Sequence, residues 1–544
     1  MIRINKFLSS KAAAGLCIAI AIISRTINVL FVSYAGRDKM FLVLQSKSWL
    51  EGKGLSIPQY FLQNPDVPIY DFTPHWPPGY PILLAPFLKI FNYDIYWATS
   101  TLDIILCICL IFIVRKICIQ IGVPTAGVNI MTLVTGCFEY TFINESLPTD
   151  TVSLVLFLTG LSLTIRLLFI ESFSIKIAVA ASLFLFLPSV FRYNYPAISI
   201  GIIVLILLIG IRKKDALLRK KGFALLLFSS ILTLGFFILM KLKTGHAGYA
   251  TPTERGFYPE NIIHWFPVIP SSFINLAFLT SQGVHLTSLS FDDLMIILEI
   301  INVICMALLV FFLLSLFFKT GFIKTLTPFK VFLILGSTAS AILFGILGYL
   351  SLTYAVQKGF LHDWNYIYEP RYFAFANIFL QIAFIGWIFL YHRTQKNYLQ
   401  KFLIWSLSLL LFIEVSHNIY FNTKVALNFK KYKSAVYREQ DYSYFFSLID
   451  SLETKFPAER IWVAGPGDHF YYYTATYLGH KGIADAASLK NGFPKVQEKT
   501  IFIIVLYGNE IQSYRDILTK SNAQLCGKAG FTSFYLVELT PRNR

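Results

Sequence analysis

Three acidic residues stand beside long apolar runs, where a carboxylate is costly unless it has a function or a partner. Asp38 follows the first apolar run, and Glu145 and Asp150 lie together between two later runs. A carboxylate within hydrogen-bond reach of a hydroxyl can take its proton as the hydroxyl attacks an electrophile. Asp38 or Asp150 can instead cap the helix that follows it. The absence of Lys and Arg from the sequence around Glu145 and Asp150 favours a functional role for that pair.

Two Arg–Tyr pairs occupy similar places farther along the chain. The segment FRYNYP contains Arg192 and Tyr193, and EPRYFAF contains Glu369, Arg371 and Tyr372. The fork of a guanidinium group suits a phosphate. A local salt bridge between Glu369 and Arg371 is the alternative. The two pairs are therefore candidates for binding an anionic substrate.

The composition indicates which elements must hold these residues. Of 544 residues, 56% are hydrophobic and only 14% are charged, whereas an ordinary soluble domain is about one quarter charged. This composition excludes a soluble protein of this size, a disordered chain, a fibrous protein and a disulfide scaffold. An excess of 47 Lys and Arg over 30 Asp and Glu is typical of the cytoplasmic ends of membrane helices rather than of a nucleic-acid-binding surface.

Eleven apolar runs have the length of a membrane-spanning helix, which needs about 20 residues. The first is too long, and has no suitable site after it, for a cleaved signal peptide. The runs are 12–34, 95–114, 124–143, 150–168, 174–191, 195–211, 222–241, 292–318, 329–352, 372–391 and 399–420.

Cations concentrate in alternate short loops, and this pattern predicts the orientation. The N-terminus and every second loop after it are rich in Lys and Arg, and the densest cluster lies at 212–221. The prediction is a cytoplasmic N-terminus, with external loops at 35–94 and 242–291 and an external tail. The first loop should contain a helix lying along the membrane interface, anchored by Trp49 and its cations and closed at Gly52. The second loop is predicted to be either a lid or an interfacial anchor.

The tail has a different composition from the rest of the chain. Between residues 432 and 544, the short apolar strands RIWVAG, IFIIVLY and SFYLVEL alternate with two amphipathic helical segments. This alternation predicts a small soluble α/β domain. We therefore divide the chain into a transmembrane domain, 1–431, and an external domain, 432–544. The GPG at 465–467 lacks the spacing of a dinucleotide-binding motif and is predicted to be a turn.

Neither a disulfide framework nor a zinc site is indicated. The seven cysteines form no CxxC pair and no cluster with histidine. His246, His264 and His285 of the second long loop match no metal-binding spacing. No metal ligand is therefore assigned.

Several segments together carry a resemblance to a known family. They are Asp38 after the first span, PPGYPILLAPFLKIF, ESLPTD, FRYNYP and EPRYFAF, in that order over roughly residues 20–390. This order resembles the GT-C class of polytopic glycosyltransferases, and in particular the bacterial branch related to protein O-mannosyltransferases and aminoarabinose transferases of lipid A. The most specific segment is PPGYPILLAPFLKIF, and its Tyr80 joins the two Arg–Tyr pairs as a candidate substrate-binding residue.

The resemblance implies a function and a place for each acid. Such enzymes transfer a sugar from a polyprenyl phosphate to an acceptor on the external face of the membrane, usually with inversion. The loop acid of the family corresponds to Asp38, and its second acid to Glu145 or Asp150. Relatives often have Glu immediately after the loop Asp, whereas this chain has Lys39. Some relatives bind a divalent metal, but no ligand cluster here requires one.

The predicted protein is thus a bacterial inner-membrane glycosyltransferase with about eleven spans and an external α/β domain. Its partners would be a polyprenyl-phosphate sugar donor, membrane lipid, and a glycan, lipid or protein acceptor, with no nucleic acid. The main alternative is a transporter or flippase of lipid-linked saccharides, for which internal symmetry and polar residues within the spans would be expected. A non-enzymatic receptor or scaffold would leave the loop acids and arginines unexplained.

Overall fold

The computed structural model shows a mostly helical chain with a mixed β-sheet near its C-terminal end. The residues it describes are 7–32, 37–61, 64–71, 77–138, 148–245, 256–257, 259, 273, 290–318, 326–353, 373–391, 398–428, 440–457, 460–465, 483–485, 489, 492–493, 496, 498–508, 511–529 and 532–541.

Helices α1 to α13 account for most of the chain before the sheet. A π-helical turn, Asn28–Val32, extends α1, and a 3-10 turn, Leu187–Val190, extends α7. The helices are α1 (Lys11–Ile27), α2 (Arg37–Leu50), α3 (Gly79–Ile90), α4 (Ile95–Gln120), α5 (Thr125–Cys137), α6 (Pro148–Phe169), α7 (Ile175–Phe186), α8 (Tyr195–Arg212), α9 (Ala216–Thr244), α10 (Phe291–Phe318), α11 (Pro328–Thr353), α12 (Ala374–Tyr391) and α13 (Tyr398–Leu427).

Each predicted apolar run coincides with one of these helices, namely α1 or one of α4 to α13. Within the described residues, six helical stretches are long and apolar enough to cross a membrane on their own. The chain is therefore a polytopic α-helical membrane protein, while the number of eleven spans stays a prediction. The six stretches are Lys11–Phe31, Thr149–Phe169, Tyr195–Arg212, Ala216–Thr244, Pro328–Leu350 and Tyr398–Leu427.

Small residues allow several of these helices to approach closely. A Cβ atom on Gly136 of α5 would lie 2.2 Å from the Cβ of Ala21 in α1. A Cβ on Gly160 of α6 would lie 2.8 Å from the backbone nitrogen of Leu185 in α7. Lipid tails are as apolar as the helices, so the hydrophobic effect does not drive helices together in a membrane. Close backbone contact through small residues provides van der Waals packing energy instead.

The helical core contains buried charged side chains in helices that coincide with predicted spans. Arg25 of α1 is 2% exposed, and its guanidinium donates to the Phe138 carbonyl oxygen at 2.6 Å. Glu414 of α13 is 3% exposed and accepts a hydrogen bond from Asn418 at 2.9 Å. Both charged groups have a fixed partner within the protein, which is the condition under which a charge can be buried.

The segment 35–94, predicted to be the first external loop, contains more structure than the sequence predicts. Gly52 and Gly54, which follow the last residue of α2, both have positive φ, as expected where a glycine stops a helix. An antiparallel hairpin follows, formed by β1 (Ile57–Phe61) and β2 (Asn64–Asp71). No strand is predicted in this loop from the sequence.

Helix α2 is largely buried within the protein, and its predicted position along the membrane interface stays a prediction. Every residue from Met40 to Leu44 is buried, because the helix packs against α3 and other protein elements on most of its sides. Trp49 remains 41% exposed and is compatible with an anchoring role. Lys39, in contrast, is only 4% exposed and therefore does not anchor the helix in lipid headgroups.

The C-terminal sheet has the strand order β4-β3-β5-β7-β6. The strand pairs β3–β4 and β3–β5 are parallel, whereas β5–β7 and β6–β7 are antiparallel. The short β4 and the edge strand β6 are not predicted from the sequence. The elements are α14 (Gln440–Lys455), β3 (Arg460–Gly465), β4 (Ile483–Asp485), β5 (Thr500–Tyr507), α15 (Ile511–Lys520), β6 (Gln524–Ala529) and β7 (Thr532–Leu539).

The two faces of this sheet belong to different hydrophobic clusters. Trp462 and Phe502 pack with Tyr514 of α15 on one face. Ile461 and Ile503 point to the other face, because side chains alternate along a strand. This second face forms one continuous cluster with α14 and with residues of α2, α3 and α4. The sheet and the first external loop therefore share a core, and the division at residue 431 stays a prediction about sequence segments.

Candidate functional site

The site is built around the first turn of α2. This helix begins at Arg37, so Asp38 is its second residue rather than the residue that precedes it. The π-helical turn at the end of α1 exposes the Leu30 carbonyl oxygen, which accepts a hydrogen bond from the Tyr96 hydroxyl at 2.8 Å. The backbone therefore places Asp38 in the first turn of α2.

The residue after Asp38 makes a buried ion pair. The Nζ atom of Lys39 lies 2.8 Å from Oδ2 of Asp103, and their side chains are 4% and 3% exposed. Asp103 lies on α4, within a run predicted to span the membrane. Asp103 is not among the site residues predicted from the sequence, although a single acid inside an otherwise apolar run is a recognisable signal of a functional position.

Tyr80 lies in the same region and is completely buried. Its hydroxyl has no hydrogen-bond partner among the described residues. Burial and the nearby Asp103 carboxylate both raise the pKa of the Tyr80 phenol, which therefore stays protonated. Because Tyr80 is completely buried, its direct contact with a substrate stays a prediction from the sequence.

Close packing joins two of the sequence motifs that define the site. Gly79 of the PPGYP segment lies against the residues that precede FRYNYP, so that a Cβ there would be 2.5 Å from the Val190 carbonyl oxygen. The same Cβ would be 2.9 Å from the ring of Phe191. Phe191 and Tyr80 belong to one hydrophobic cluster. Only glycine fits this contact, which brings the start of α3 against the turn after α7.

Arg192 and Asp150 form a two-point ion pair. The Nε atom of Arg192 donates to Oδ1 of Asp150 at 2.6 Å, and an Nη atom of Arg192 donates to Oδ2. The two side chains are 9% and 13% exposed. Arg192, a candidate for binding an anionic substrate, therefore has an acidic partner within the protein. The pair joins the first turn of α6 to the segment that precedes α8.

Several unsatisfied polar atoms belong to residues within a few positions of this pair along the chain. The side-chain oxygens of Thr149, Ser153, Ser189 and Asn194 are buried and have no hydrogen-bond partner among the described residues. Leaving such a group unpaired costs about 1–3 kcal/mol. Tyr193 stands beside them, and burial raises the pKa of its phenol to about 12. These groups can form hydrogen bonds with water or with the hydroxyl groups of a ligand.

Several predicted site residues lie outside the described residues. They are Glu145, Glu369, Arg371 and Tyr372, together with the three histidines of the second long loop and the turn at 466–467. Two described positions of that loop contact the bundle. The Gly256 amide donates to the Thr353 carbonyl oxygen at 3.3 Å, and Phe273 is buried against the Phe384 ring, with 5.2 Å between centroids. Among the described residues, no group of three or more His, Cys, Asp or Glu could hold a metal.

A cavity lies at the opposite ends of the same helices. Its volume is about 110 Å³, and it lies between the ends of α6 and α8 and the starts of α9 and α11. Leu168, Ile209 and Lys213 contribute to its lining. Since Asp150 and Arg192 lie at the other ends of α6 and of the segment before α8, this cavity is separate from the site described above.

Comparison with known proteins gives a structural result only. The sequence matches no family model, and no curated protein matches it significantly. The structure is similar to ArnT from Cupriavidus metallidurans bound to undecaprenyl phosphate, with a TM-score of 0.56 and 9% identity over 97% of this chain and 98% of that chain. The apo state of ArnT gives a TM-score of 0.54 and 10% identity over the same shares.

A third similarity is weaker. The oligosaccharyltransferase AglB from Archaeoglobus fulgidus, in complex with an inhibitory peptide and a dolichol-phosphate, has a TM-score of 0.47 and 12% identity. The alignment covers 92% of this chain and 69% of that chain. Unlike the AglB alignment, the alignment with undecaprenyl-phosphate-bound ArnT extends over nearly the whole of both proteins. It confirms, at the level of the fold, the resemblance seen in the sequence: the chain has the fold of the GT-C glycosyltransferases.

Proposed function

We propose that this protein transfers a sugar from a polyprenyl-phosphate donor to an acceptor hydroxyl on the external face of a bacterial inner membrane. The observation that carries the proposal is the similarity to ArnT over 97% of the chain, in a state of ArnT that has undecaprenyl phosphate bound. The assembly of the sequence motifs around α2 supports it, because a fold by itself does not specify a function.

The proposed topology has eleven spans, a cytoplasmic N-terminus and an external C-terminal sheet. The alternation of cationic loops supports this orientation. The shared core between the sheet and α2–α4 supports it as well, since both must then lie on the same side of the membrane. The donor enters from the lipid, and the acceptor reaches the same surface from outside.

The proposed reaction needs one base and one site for an anion. Asp38 takes the proton from the acceptor hydroxyl while the acceptor oxygen bonds to the anomeric carbon of the sugar. The bond from that carbon to the phosphate oxygen breaks, and polyprenyl phosphate leaves with the electron pair. Attack from the side opposite the phosphate inverts the anomeric configuration. A phosphate leaving group needs charge stabilisation rather than a general acid, unlike the leaving group in glycoside hydrolysis.

Arg371 is the proposed ligand of the donor phosphate. The other candidate, Arg192, already directs two nitrogen atoms toward Asp150. The same pair engages the Asp150 carboxylate, so Glu145 is the first choice for the second acid and Asp150 is the alternative. The polar groups near Tyr193 are proposed to contact the hydroxyl groups of the sugar or the acceptor.

The experiment that tests this function follows the fate of the donor. The purified protein in nanodiscs is supplied with polyprenyl-phosphate sugars that are radiolabelled in the sugar, as a panel of hexoses and pentoses. Transfer releases free polyprenyl phosphate and moves the label to an acceptor fraction. A flippase would move the intact lipid between leaflets without cleaving it, and this result would contradict the proposal. Lipid and glycan profiling of a deletion strain would then identify both substrates.

A further inference from the structure

The buried pair Lys39–Asp103 is a costly feature that the proposed reaction does not yet explain. Both side chains are removed from water, with 4% and 3% exposure. Removing two charges from water costs several kcal/mol per ion in real proteins, and mutual attraction compensates only if the remaining polar atoms are also satisfied. A well-packed apolar pair of the same volume is often as stable or more stable. Stability alone therefore does not account for this pair.

The surroundings of the pair are only partly satisfied. Oδ1 of Asp103 and the nearby Tyr80 hydroxyl are both buried without a hydrogen-bond partner among the described residues. A buried polar network with unpaired members is less favourable than an apolar core. This cluster lies within the hydrophobic core shared by α2, α3 and α4. Such a cost is expected where a side chain must be held in one specific place.

The pair has a direct geometric consequence for α2. Lys39 belongs to the first turn of this helix and is bonded through the backbone to Asp38. Asp103 lies eight residues into α4, about 12 Å along its axis at 1.5 Å per residue. The ammonium group therefore fastens the first turn of α2 to a long helix of the bundle. A second link, from Ser46 Oγ to the Pro81 carbonyl oxygen at 2.9 Å, fastens the same helix to α3.

We infer that Lys39 and Asp103 are positioning residues that fix the first turn of α2, and thereby the carboxylate of Asp38, relative to the bound donor. The inference rests on the proposed function. Lys39 is then not a ligand of the donor phosphate, because its ammonium group donates to Asp103 inside the protein. A base must be held within a fraction of an ångström of its productive place, and a displacement of about 1 Å can cost 10²-fold in rate.

The test uses an apolar replacement of the whole pair. The double variant Lys39→Met/Asp103→Leu leaves no uncompensated charge and is expected to fold and melt at or above the wild-type temperature. We expect its kcat to fall about ten- to hundredfold, with KM for the polyprenyl-phosphate sugar nearly unchanged. A wild-type kcat in this folded variant would overturn the positioning role. Replacement of the surface pair Lys499 and Glu538 by Gln, as a control, should change neither kcat nor melting.

A second variant covers the case in which the double variant does not fold. Asp103→Glu keeps the negative charge, but its extra methylene displaces the ammonium group of Lys39. This variant should therefore fold and show a lower kcat. A wild-type kcat there would also overturn the inference. Asp38→Asn is measured in parallel. A fully active double variant beside an inactive Asp38→Asn would overturn the positioning role alone, whereas a wild-type protein that cleaves no donor would overturn the proposed function together with it.

Discussion

At the scale of single residues, the proposed reaction depends on Asp38 acting as the base. The structure places it inside the first turn of α2, and a helix-stabilising role makes a different prediction from a base. If Asp38 is the base, Asp38→Asn keeps the shape and loses the proton acceptor, so transfer should fall by about 10²–10⁴-fold. Folding and donor binding should remain close to wild type. The measurements are turnover and thermal melting of the purified variants.

Two further variants complete this series. Asp38→Glu should recover little activity, because its extra methylene moves the carboxylate by about an ångström. Asp38→Ala should be as inactive as the Asn variant but somewhat less stable. A stabilising role alone predicts the opposite pattern, with Asn active and Ala unstable. In that case the base would be Glu145 or Asp150.

The ion pair of Arg192 with Asp150 can be tested as a unit. Replacing either partner leaves the other charge nearly buried and unpaired, which should lower the free energy of unfolding by about 3 kcal/mol. The double variant Asp150→Asn/Arg192→Gln should lose less than the sum of the single variants, with a coupling energy of about 0.5–3 kcal/mol. The measurement is denaturant unfolding in detergent. If Arg192 binds the donor instead, KM for the donor will rise in the double variant too.

Arg371 is expected to behave differently from Arg192. The change Arg371→Lys keeps the charge and loses the bidentate fork, so donor binding should weaken without being abolished. KM for the donor, or a direct binding measurement with a short-chain polyprenyl phosphate, reports this effect. Arg371→Gln should weaken binding further. A Lys variant that fails to fold would instead identify Arg371 as the structural partner of Glu369.

At the scale of elements, the contact between α3 and the turn after α7 depends on one glycine. Gly79→Ala would place a Cβ 2.5 Å from the Val190 carbonyl oxygen, and relieving such overlap typically costs about 1–3 kcal/mol. We expect a lower melting temperature and a loss of activity, because both sequence motifs would be displaced. Gly235→Ala is the matched control, since nothing lies within 4 Å of its Cβ position. Equal melting of the two variants would contradict this account.

The sequence predicts the elements of this protein unequally, and the reason is physical. Long apolar runs identify spanning helices from local sequence alone, which is why each run coincides with a helix. The hairpin β1–β2 has Pro58, Pro65 and Pro68 and no clear alternation, so its pairing is decided by tertiary contacts. The edge strand β6 contains Gly527 and mixed polar residues, and among the described strands it pairs with β7 alone.

The candidate site shows the same division. Asp38, Asp150 and Arg192 are identifiable because a charge at the end of an apolar run requires an explanation. The partner of each charge is a different question, since Arg192 is 42 residues from Asp150 and Lys39 is 64 residues from Asp103. No local pattern specifies such pairs. The role of Lys39 as an internal partner rather than a surface anchor therefore becomes evident only from the fold.

At the scale of the whole molecule, the shared core constrains the topology. Residues of α2 and of the C-terminal sheet belong to one hydrophobic cluster, so the proposed topology must place both on the same side of the membrane. In that topology the chain crosses the membrane an even number of times between α2 and the sheet. Ten crossings after the first satisfy this requirement and agree with the predicted total of eleven. A total of ten or twelve would place the sheet opposite α2 and would separate the two parts of its core.

The last prediction tests on which side of the membrane α2 and the C-terminal sheet lie. Alkaline phosphatase fused after residue 430 should be active, because it folds only when exported, and a fluorescent protein fused there should stay dark. The same two reporters placed in the cationic loop at 319–330 should give the reverse result, which serves as the internal control. An active fluorescent fusion after residue 430 would invert the topology. Because the sheet and α2 share a core, the inversion would also place Asp38 in the cytoplasm, and an external transfer reaction would no longer be tenable.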